Sequence, residues 1–137
     1  MIALDTNILI YACDRSEAAR QQVALDLIAG AADGVLLWQV ACEFVAASRK
    51  LSGQGFTASH AWSRLSEFLG VLRLVLPTAG ILERARALHV THSVSFWDAT
   101  ILAACVEAGV DVLYSEDVPG LDTIAGVVSR QSVQMTV

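Results

Sequence analysis

Asp5 is the first residue of this sequence whose type and position suggest chemistry. It interrupts the apolar run that opens the chain, "MIALDTNILIY", and two small polar residues, Thr6 and Asn7, follow it. Removing an ionised carboxylate from water costs several kcal/mol unless hydrogen bonds, a cation or a metal ion offset that cost. Asp5 is therefore either a cap for the turn that follows or part of a site, and this segment alone leaves both interpretations open.

Two further acids stand in segments with a helical pattern. Glu43 lies in "QVACEFVAASRKL", about one turn into the predicted helix, and a solvent-facing glutamate is the alternative to a site residue. Asp98 completes "SFWD", which matches the S-x-x-D capping box with Ser95 as the N-cap residue. Capping and site membership do not exclude each other at Asp98, because a first-turn aspartate also faces the edge of the predicted sheet.

Strands alternate with helices along the chain, without a repeat, linker or low-complexity tract. Apolar runs predict strands at the N-terminus and in "GVLLW", "LRLVLP" and "VDVLYSED", and "GVVSRQSVQMTV" is a candidate terminal edge strand. Helices are predicted in "QVACEFVAASRKL", "TASHAWSRLSEFLGVL", "TAGILERARALHVTH" and "SFWDATILAACVEAG". A further helix, "SEAARQQVALDLIAG", has Ser16 as its expected N-cap and Ala19, Val23 and Leu27 on its apolar face. The expected class is α/β, with a central, mainly parallel sheet flanked by helices.

The acids should meet at the carboxyl ends of the parallel strands, where ligands of such sheets bind. Asp5 ends the first strand, "SED" ends "VDVLY", and the helix that carries Glu43 begins at the same edge. Clustered carboxylates are hard oxygen ligands that suit Mg²⁺ or Mn²⁺. The matching chemistry is phosphodiester hydrolysis, in which one or two metal ions activate water and stabilise the leaving oxygen.

Composition predicts a single compact domain over residues 1–137. Hydrophobic residues make up 55% of the chain, enough for a substantial core and for a face buried by self-association. The sequence shows no basic leader and no apolar segment of membrane length, so we expect a cytoplasmic protein outside the membrane. Cys13, Cys42 and Cys105 are odd in number and widely spaced, so we interpret them as small core residues rather than a disulfide framework or zinc cluster.

Net charge argues at first against a nucleic-acid ligand. The formal charge is −5 at pH 7, whereas nucleic-acid binders are usually basic. Divalent ions held by clustered acids would reverse the local field, so the charge of the whole chain does not exclude RNA. The candidate phosphate contacts, for which a solubilising role is the alternative, are Arg15, Arg49, Lys50, Arg84 and Arg86.

Four segments together resemble the motifs of a PIN-domain ribonuclease of the VapC toxin type, over almost the whole length. They are "LDTN", the glutamate of "VACEF", "SFWDA" and "LYSED". The resemblance implies a PIN-like three-layer domain and an Mg²⁺- or Mn²⁺-dependent endoribonuclease. It implies that the catalytic, metal-binding acids are Asp5, Glu43, Asp98 and Asp117. It gives supporting roles to Thr6, Asn7, Ser115 and Glu116.

Two positions in the last motif depart from a simple match. Asp117 is preferred to Glu116 as the metal ligand, and the family often has threonine where Ser115 stands, so the hydroxyl is retained. The resemblance also implies three partners: an RNA substrate, a cognate antitoxin protein that blocks the acidic groove, and a second copy of the chain in a homodimer.

Other site classes fit the sequence less well. A phosphoacceptor signalling domain needs a lysine after a late strand, but the only lysine is Lys50, in an early helix. A phosphatase with an aspartyl nucleophile needs an acid two positions beyond Asp5, where asparagine stands. His89 and His92 have no third nitrogen or sulfur ligand nearby, which argues against zinc. The closest alternative is a catalytically inactive PIN-like module that binds RNA or a protein partner.

Overall fold

A single β-sheet lies at the centre of the protein. The computed structural model describes residues 1–115, 123–124 and 127–130. The strands in these ranges are β1 Ile2–Leu4, β2 Gly34–Leu37, β3 Arg73–Val75, β4 Val112–Tyr114, β5 Thr123–Ile124 and β6 Val127–Arg130. Their order across the sheet is β3-β2-β1-β4-β6-β5. Neighbouring strands are parallel except β5 and β6, which pair antiparallel.

Helices cover both faces of this sheet. They are α1 Thr6–Cys13, α2 Ala18–Gly30, α3 Trp38–Ala47, α4 Ala58–Leu69, α5 Ala79–His92 and α6 Phe96–Ala108, and a 3-10 helix, Ser48–Gln54, continues α3. The crossovers through α1 to α4 step from β1 to β2 to β3, whereas α5 and α6 lead back from β3 to β4. Because such crossovers are right-handed, the two sets of helices lie on opposite faces. The predicted three-layer α/β class is confirmed.

The core is built from continuous apolar runs rather than alternating ones. Every residue of β2 is buried, as expected for a parallel strand covered on both faces. Helix α6 is buried without interruption from Ala99 to Cys105, so it forms a central part of its layer. Across the described ranges, no helix is both long and apolar enough to cross a membrane.

Two predictions about the first helices are wrong. Helix α1 is missing from the sequence prediction because most of its residues are buried, so no polar face marks a helical period. Helix α2 has Glu17, not Ser16, at its N-cap position. Ser16 instead donates its backbone N–H and its hydroxyl to Asp14 Oδ1, at 3.0 and 2.6 Å, and so closes a turn before the helix.

The buried face of α2 is also displaced from the predicted one. Ala24 and Ile28 are buried, whereas Ala19 is exposed and Val23 and Leu27 are half-buried. The helix packs against α1, an element that the sequence pattern did not reveal, and this contact selects the face that turns inward.

The terminal strand and one cysteine differ from expectation as well. Strand β6 is not at the edge of the sheet, because β5 pairs with its outer side; the remainder of the predicted segment, residues 126 and 131–137, lies outside the described residues. Cys13 and Cys105 are buried as predicted, but Cys42 is exposed. Helix α3 turns Phe44 into the core, and its neighbour two positions earlier therefore faces outward.

Candidate active site

The carboxyl ends of β1 and β4 form the switch point of the sheet. These neighbouring strands continue in opposite directions, β1 toward β2 and β4 toward β6, and ligands of open α/β sheets bind at such a point. Asp5 directly follows β1, and Ser115 directly follows β4. The backbone N–H of Asp5 donates to Tyr114 O at 2.9 Å, which fixes the two strand ends side by side.

The Asp5 carboxylate is buried, and each of its oxygens accepts a hydrogen bond from the protein. Only 6% of the residue is exposed. Its Oδ1 accepts the backbone N–H of Thr6 at 2.7 Å, and its Oδ2 accepts the hydroxyl of Ser115 at 2.7 Å. Asp5 is thus the N-cap of α1, as one interpretation of the sequence predicted, and these hydrogen bonds offset the cost of its burial. The same bonds hold the carboxylate at the switch point.

Glu43 is joined to Asp5 through Thr6. The Thr6 hydroxyl donates to Glu43 Oε2 at 2.9 Å, while the backbone N–H of Thr6 bonds Asp5. Gln39, one turn earlier on α3, donates its side-chain amide to Glu43 Oε1 at 2.9 Å. The sequence analysis missed Gln39, although its i, i+4 spacing from Glu43 was a usable signal. Glu43 is therefore a half-buried, oriented carboxylate rather than a freely solvated one.

Asp98 occupies the third position of α6, where the capping-box pattern predicted it. Its backbone N–H donates to Ser95 Oγ at 3.2 Å. For this helix the structure records the serine cap but no return bond from the aspartate side chain. The Asp98 carboxylate is half-buried in the first turn of α6.

Helix α6 passes beside the switch point. Its residue Thr100 lines a small cleft together with Leu37 and Gln39, which lie at the carboxyl end of β2 and in the first turn of α3. Farther along α6, burial and the nearby charge of Asp5 raise the pKa of the Cys105 thiol to about 12. Thr100, two residues after Asp98, therefore lies beside the carboxyl end of β2.

The structure brings some of the predicted site residues together and leaves others apart. Asp5, Thr6, Ser115 and Glu43 form one hydrogen-bonded group, and Asn7 lies in the first turn of α1. Within the ranges that the structure describes, no three histidine, cysteine, aspartate or glutamate side chains are close enough to hold a metal ion. Residues 116–117, the predicted Glu116 and Asp117, lie outside the described residues.

The fold is an α/β sheet with two carboxylates, Asp5 and Glu43, linked through Thr6 at its switch point. A family model for the PIN domain matches residues 2–122, and the chain belongs to this family. No curated protein sequence gives a significant match to the chain.

Solved structures similar to this one include three toxin or toxin–antitoxin proteins. Mycobacterium tuberculosis VapC20, described as a sarcin-ricin loop cleaving toxin, has a TM-score of 0.67 and 24% identity, covering 85% of this chain and 90% of that one. A toxin–antitoxin complex from Klebsiella pneumoniae has a TM-score of 0.67 and 23% identity, covering 93% and 96%. VapBC2 from Rickettsia felis, bound to a promoter DNA fragment, has a TM-score of 0.69 and 16% identity, covering 96% and 98%. At these identities the likeness establishes the fold.

Proposed function

We propose that this protein is an Mg²⁺- or Mn²⁺-dependent endoribonuclease that hydrolyses phosphodiester bonds of RNA, and that it is the toxin of a toxin–antitoxin pair. One observation carries the proposal. A buried carboxylate, Asp5, stands at the switch point of a PIN-family sheet and is linked through Thr6 to a second carboxylate, Glu43.

The donor atoms at this edge fit a hard divalent cation. The side chains proposed as ligands are all carboxylates, and they are Asp5, Glu43, Asp98 and Asp117. Mg²⁺ and Mn²⁺ prefer such oxygen ligands and commonly share substrate phosphates and water. When bound, the ion would supply activated water and charge stabilisation at the scissile phosphate.

The neighbouring polar groups position the acids. The Thr6 N–H and the Ser115 hydroxyl fix the two oxygens of Asp5, and the Thr6 hydroxyl and Gln39 amide fix those of Glu43. An ionised carboxylate has about four acceptor positions, so the hydrogen bonds from Thr6 and Gln39 leave room on Glu43 for a cation. We propose Asn7 and Glu116 as further supporting residues of the same group.

The toxin assignment rests on similarity to the toxin and toxin–antitoxin structures named above. We expect a cognate antitoxin to cover the acidic edge with an Arg or Lys side chain, because clustered carboxylates attract cations. We also expect a homodimer, since large hydrophobic side chains remain exposed on the single chain. A cytoplasmic location stays a prediction.

One observation favours the alternative, an inactive PIN-like module that binds RNA or a protein. In the described ranges no three candidate ligands converge on a metal position. The two candidates differ in one measurable property, which is metal-dependent cleavage.

The test is cleavage of structured and single-stranded RNA with Mg²⁺, with Mn²⁺ and with excess EDTA. We expect cleavage with either ion, none with EDTA, and a loss of orders of magnitude in Asp5→Asn, whose amide oxygen still caps α1. Asp26→Asn, on the exposed side of α2, is the matched control and should cleave like the wild type. Full cleavage in EDTA refutes the metal dependence, and no cleavage with either ion supports the inactive module.

The toxin assignment has its own test. Expression of the untagged protein alone should arrest growth, and a small protein should co-purify with it from native cells. Free expression without arrest and without a bound protein would refute the toxin role even if the nuclease activity is real.

A further inference from the structure

Exposed aromatic rings flank the proposed catalytic acids. Trp97 directly precedes Asp98 and is 65% exposed, and Phe96 beside it is 46% exposed. Trp38, the first residue of α3, is 47% exposed and directly precedes Gln39, the residue that holds Glu43. Large indole rings in water forgo the stabilisation that burial would bring.

Trp38 and Trp97 both neighbour Thr100 of α6. Trp38 lines the same small cleft as Thr100 of α6, and the Thr100 hydroxyl donates to the backbone O of Trp97 at 2.7 Å. The start of α3 and the second turn of α6 therefore lie next to each other, beside the carboxyl ends of β2 and β3. Trp97 directly precedes Asp98, a proposed ligand, and Trp38 directly precedes Gln39, which donates to Glu43.

Packing holds one face of this aromatic group in place. The rings of Phe96 and Trp97 meet edge to face, with centroids 5.1 Å apart and planes at 70°. His89 meets the other side of Phe96 at 6.4 Å and 90°, and its Nδ1 lies 2.6 Å from the backbone O of Val94. Phe96 thus contacts two rings, and Trp97, at 65% exposed, is more exposed than Phe96.

We propose that Trp97 and Trp38 stack on bases of single-stranded RNA that flank the scissile phosphate, and so position the substrate strand. The inference rests on the proposed nuclease function and adds the residues that bind the substrate. Every base offers a flat π-face, and stacking on an aromatic side chain does not depend on charge. That independence matters here, because the chain is acidic and the carboxylates repel the phosphate backbone.

We call Trp97 and Trp38 together the stacking platform. Adjacency in sequence limits which nucleotides of the RNA can contact this platform. Because Trp97 and Asp98 are consecutive, a base on the Trp97 ring belongs to a nucleotide close to the phosphate at the acids. A second copy of this chain on the same rings is the competing occupant, and the experiment includes it as an outcome.

The test compares tryptophans on and off the proposed platform. The variants are Trp97→Ala, Trp97→Phe and Trp38→Ala, with Trp62→Ala as the control, because Trp62 is 60% exposed on α4, a helix that carries none of the proposed acids. The expected results are a KM for a single-stranded oligoribonucleotide about 5- to 150-fold higher in Trp97→Ala, an unchanged kcat, and partial rescue in Trp97→Phe. Trp62→Ala should match the wild type, and melting temperatures should confirm that all variants are folded.

A substrate series identifies the stacked base. A single abasic nucleotide is moved along the oligoribonucleotide, and the wild type should lose affinity at one or two positions beside the cleaved bond. Trp97→Ala should show no further loss at its own position, because the ring and the base act as a pair. A KM equal to that of Trp62→Ala overturns the proposal. The proposal is also overturned if the KM of Trp97→Ala is raised but light scattering shows that the wild type is a dimer and this variant a monomer.

The stacking proposal can be tested even if the nuclease proposal is wrong. If the wild type cleaves nothing in Mg²⁺, the same variants are titrated in Mg²⁺ against a fluorescein-labelled oligoribonucleotide, with anisotropy as the readout. Weaker binding of Trp97→Ala than of Trp62→Ala then supports the platform although the nuclease proposal is wrong. Equal binding of these two variants overturns the platform.

Discussion

At Asp5 the same carboxylate caps α1 and stands at the switch point of the sheet. The two roles are compatible because they use different directions around the group: the Thr6 N–H lies at the start of the helix and the Ser115 hydroxyl comes from β4. A capping function is therefore no argument against catalysis at this position, and the same logic applies to Asp98.

Asp98→Asn separates the two roles at α6. The serine cap uses the backbone N–H of residue 98, so the substitution should lower the free energy of unfolding by less than about 1 kcal/mol, the usual size of a first-turn charge effect. If Asp98 binds the metal ion, cleavage should fall by orders of magnitude and the rise in melting temperature caused by Mg²⁺ should shrink. Calorimetry and cleavage assays on one preparation give both numbers.

Ser95→Ala is the matched control for Asp98→Asn. It removes the N-cap oxygen and should cost about 1 kcal/mol of stability, while cleavage below the melting transition should stay near the wild-type rate. A fully active Asp98→Asn would refute the assignment of Asp98 as a ligand.

The three thiols should differ sharply in reactivity. Burial raises the pKa of Cys13, and burial together with the charge of Asp5 raises that of Cys105 to about 12, so both remain protonated thiols at pH 8. The thiolate is the reactive form, and Cys42 is the one exposed thiol of the three. We expect Ellman's reagent to modify one thiol quickly in the folded protein and three after denaturation. Fast reaction of two or more thiols in the folded state would contradict the described packing.

At the scale of elements, Gly34 at the start of β2 marks a tight contact between a strand and its neighbours. A Cβ there would lie 2.6 Å from Leu72 Cδ2 and 2.9 Å from Ala31 Cβ, and both neighbours are buried. Gly34→Ala should therefore cost about 1–3 kcal/mol in the free energy of unfolding.

Gly53 supplies the matched control for this glycine, because a Cβ added there would have no atom within 4 Å. Gly53→Ala should leave stability unchanged or raise it by up to about 1 kcal/mol, since it restricts the unfolded chain. Urea denaturation of both variants measures the difference. Equal stability of the two variants would show that β2 and the segment before β3 yield more readily than the described distances imply.

The sequence predicted a helix or strand wherever only one of its faces is buried or clear turn residues mark its ends. The N-terminal cap at Ser95 and the end of α6 at Gly109, whose φ of 76° suits glycine, were visible for that reason. Helix α1 was not visible, because it is apolar all round and continues the hydrophobicity of β1 without a break. The error at α2 followed from this one, since its inward face is set by contact with α1.

The site was predictable in part for a related physical reason. Acids inside apolar segments are costly, so Asp5 and Glu43 stood out by residue type alone. Gln39 and Thr6 act as hydrogen-bond donors to these acids. Nothing in a single sequence distinguishes such donors from the many polar residues that face solvent, except their spacing from an acid that is already suspected.

At the scale of the whole molecule, four of the five candidate phosphate contacts fall into two groups. Arg84 and Arg86 on α5 are paired with acids, Glu107 at 3.4 Å and Glu83 at 2.6 Å. Arg49 and Lys50 instead line an open cleft of about 840 Å³ between the 3-10 helix and the start of α4. The first group is locally neutralised by its partners, whereas the second has no salt bridge recorded within the described residues.

This separation predicts which cations contact the RNA backbone. Helix α3 and the 3-10 helix that continues it lead from Glu43 to Arg49 and Lys50 over about 10–12 Å, given rises of about 1.5 and 2.0 Å per residue, so a bound strand can reach from the acids to this cleft.

The double variant Arg49→Gln, Lys50→Gln should weaken RNA binding and flatten its salt dependence. Each phosphate contact to a single strand contributes roughly 0.7 to the slope of log affinity against log salt concentration, so the loss of two contacts should reduce the slope by roughly 1.4. The matched variant Arg84→Gln, Arg86→Gln removes the same charge from paired positions and should leave the slope unchanged. Binding titrations from 50 to 200 mM salt give the slopes, a range over which such contacts change affinity strongly. Equal slopes for both variants would mean that the positions of these cations matter less than the net charge of the protein. The proposal that RNA runs from the acids to the cleft at Arg49 and Lys50 would then be wrong.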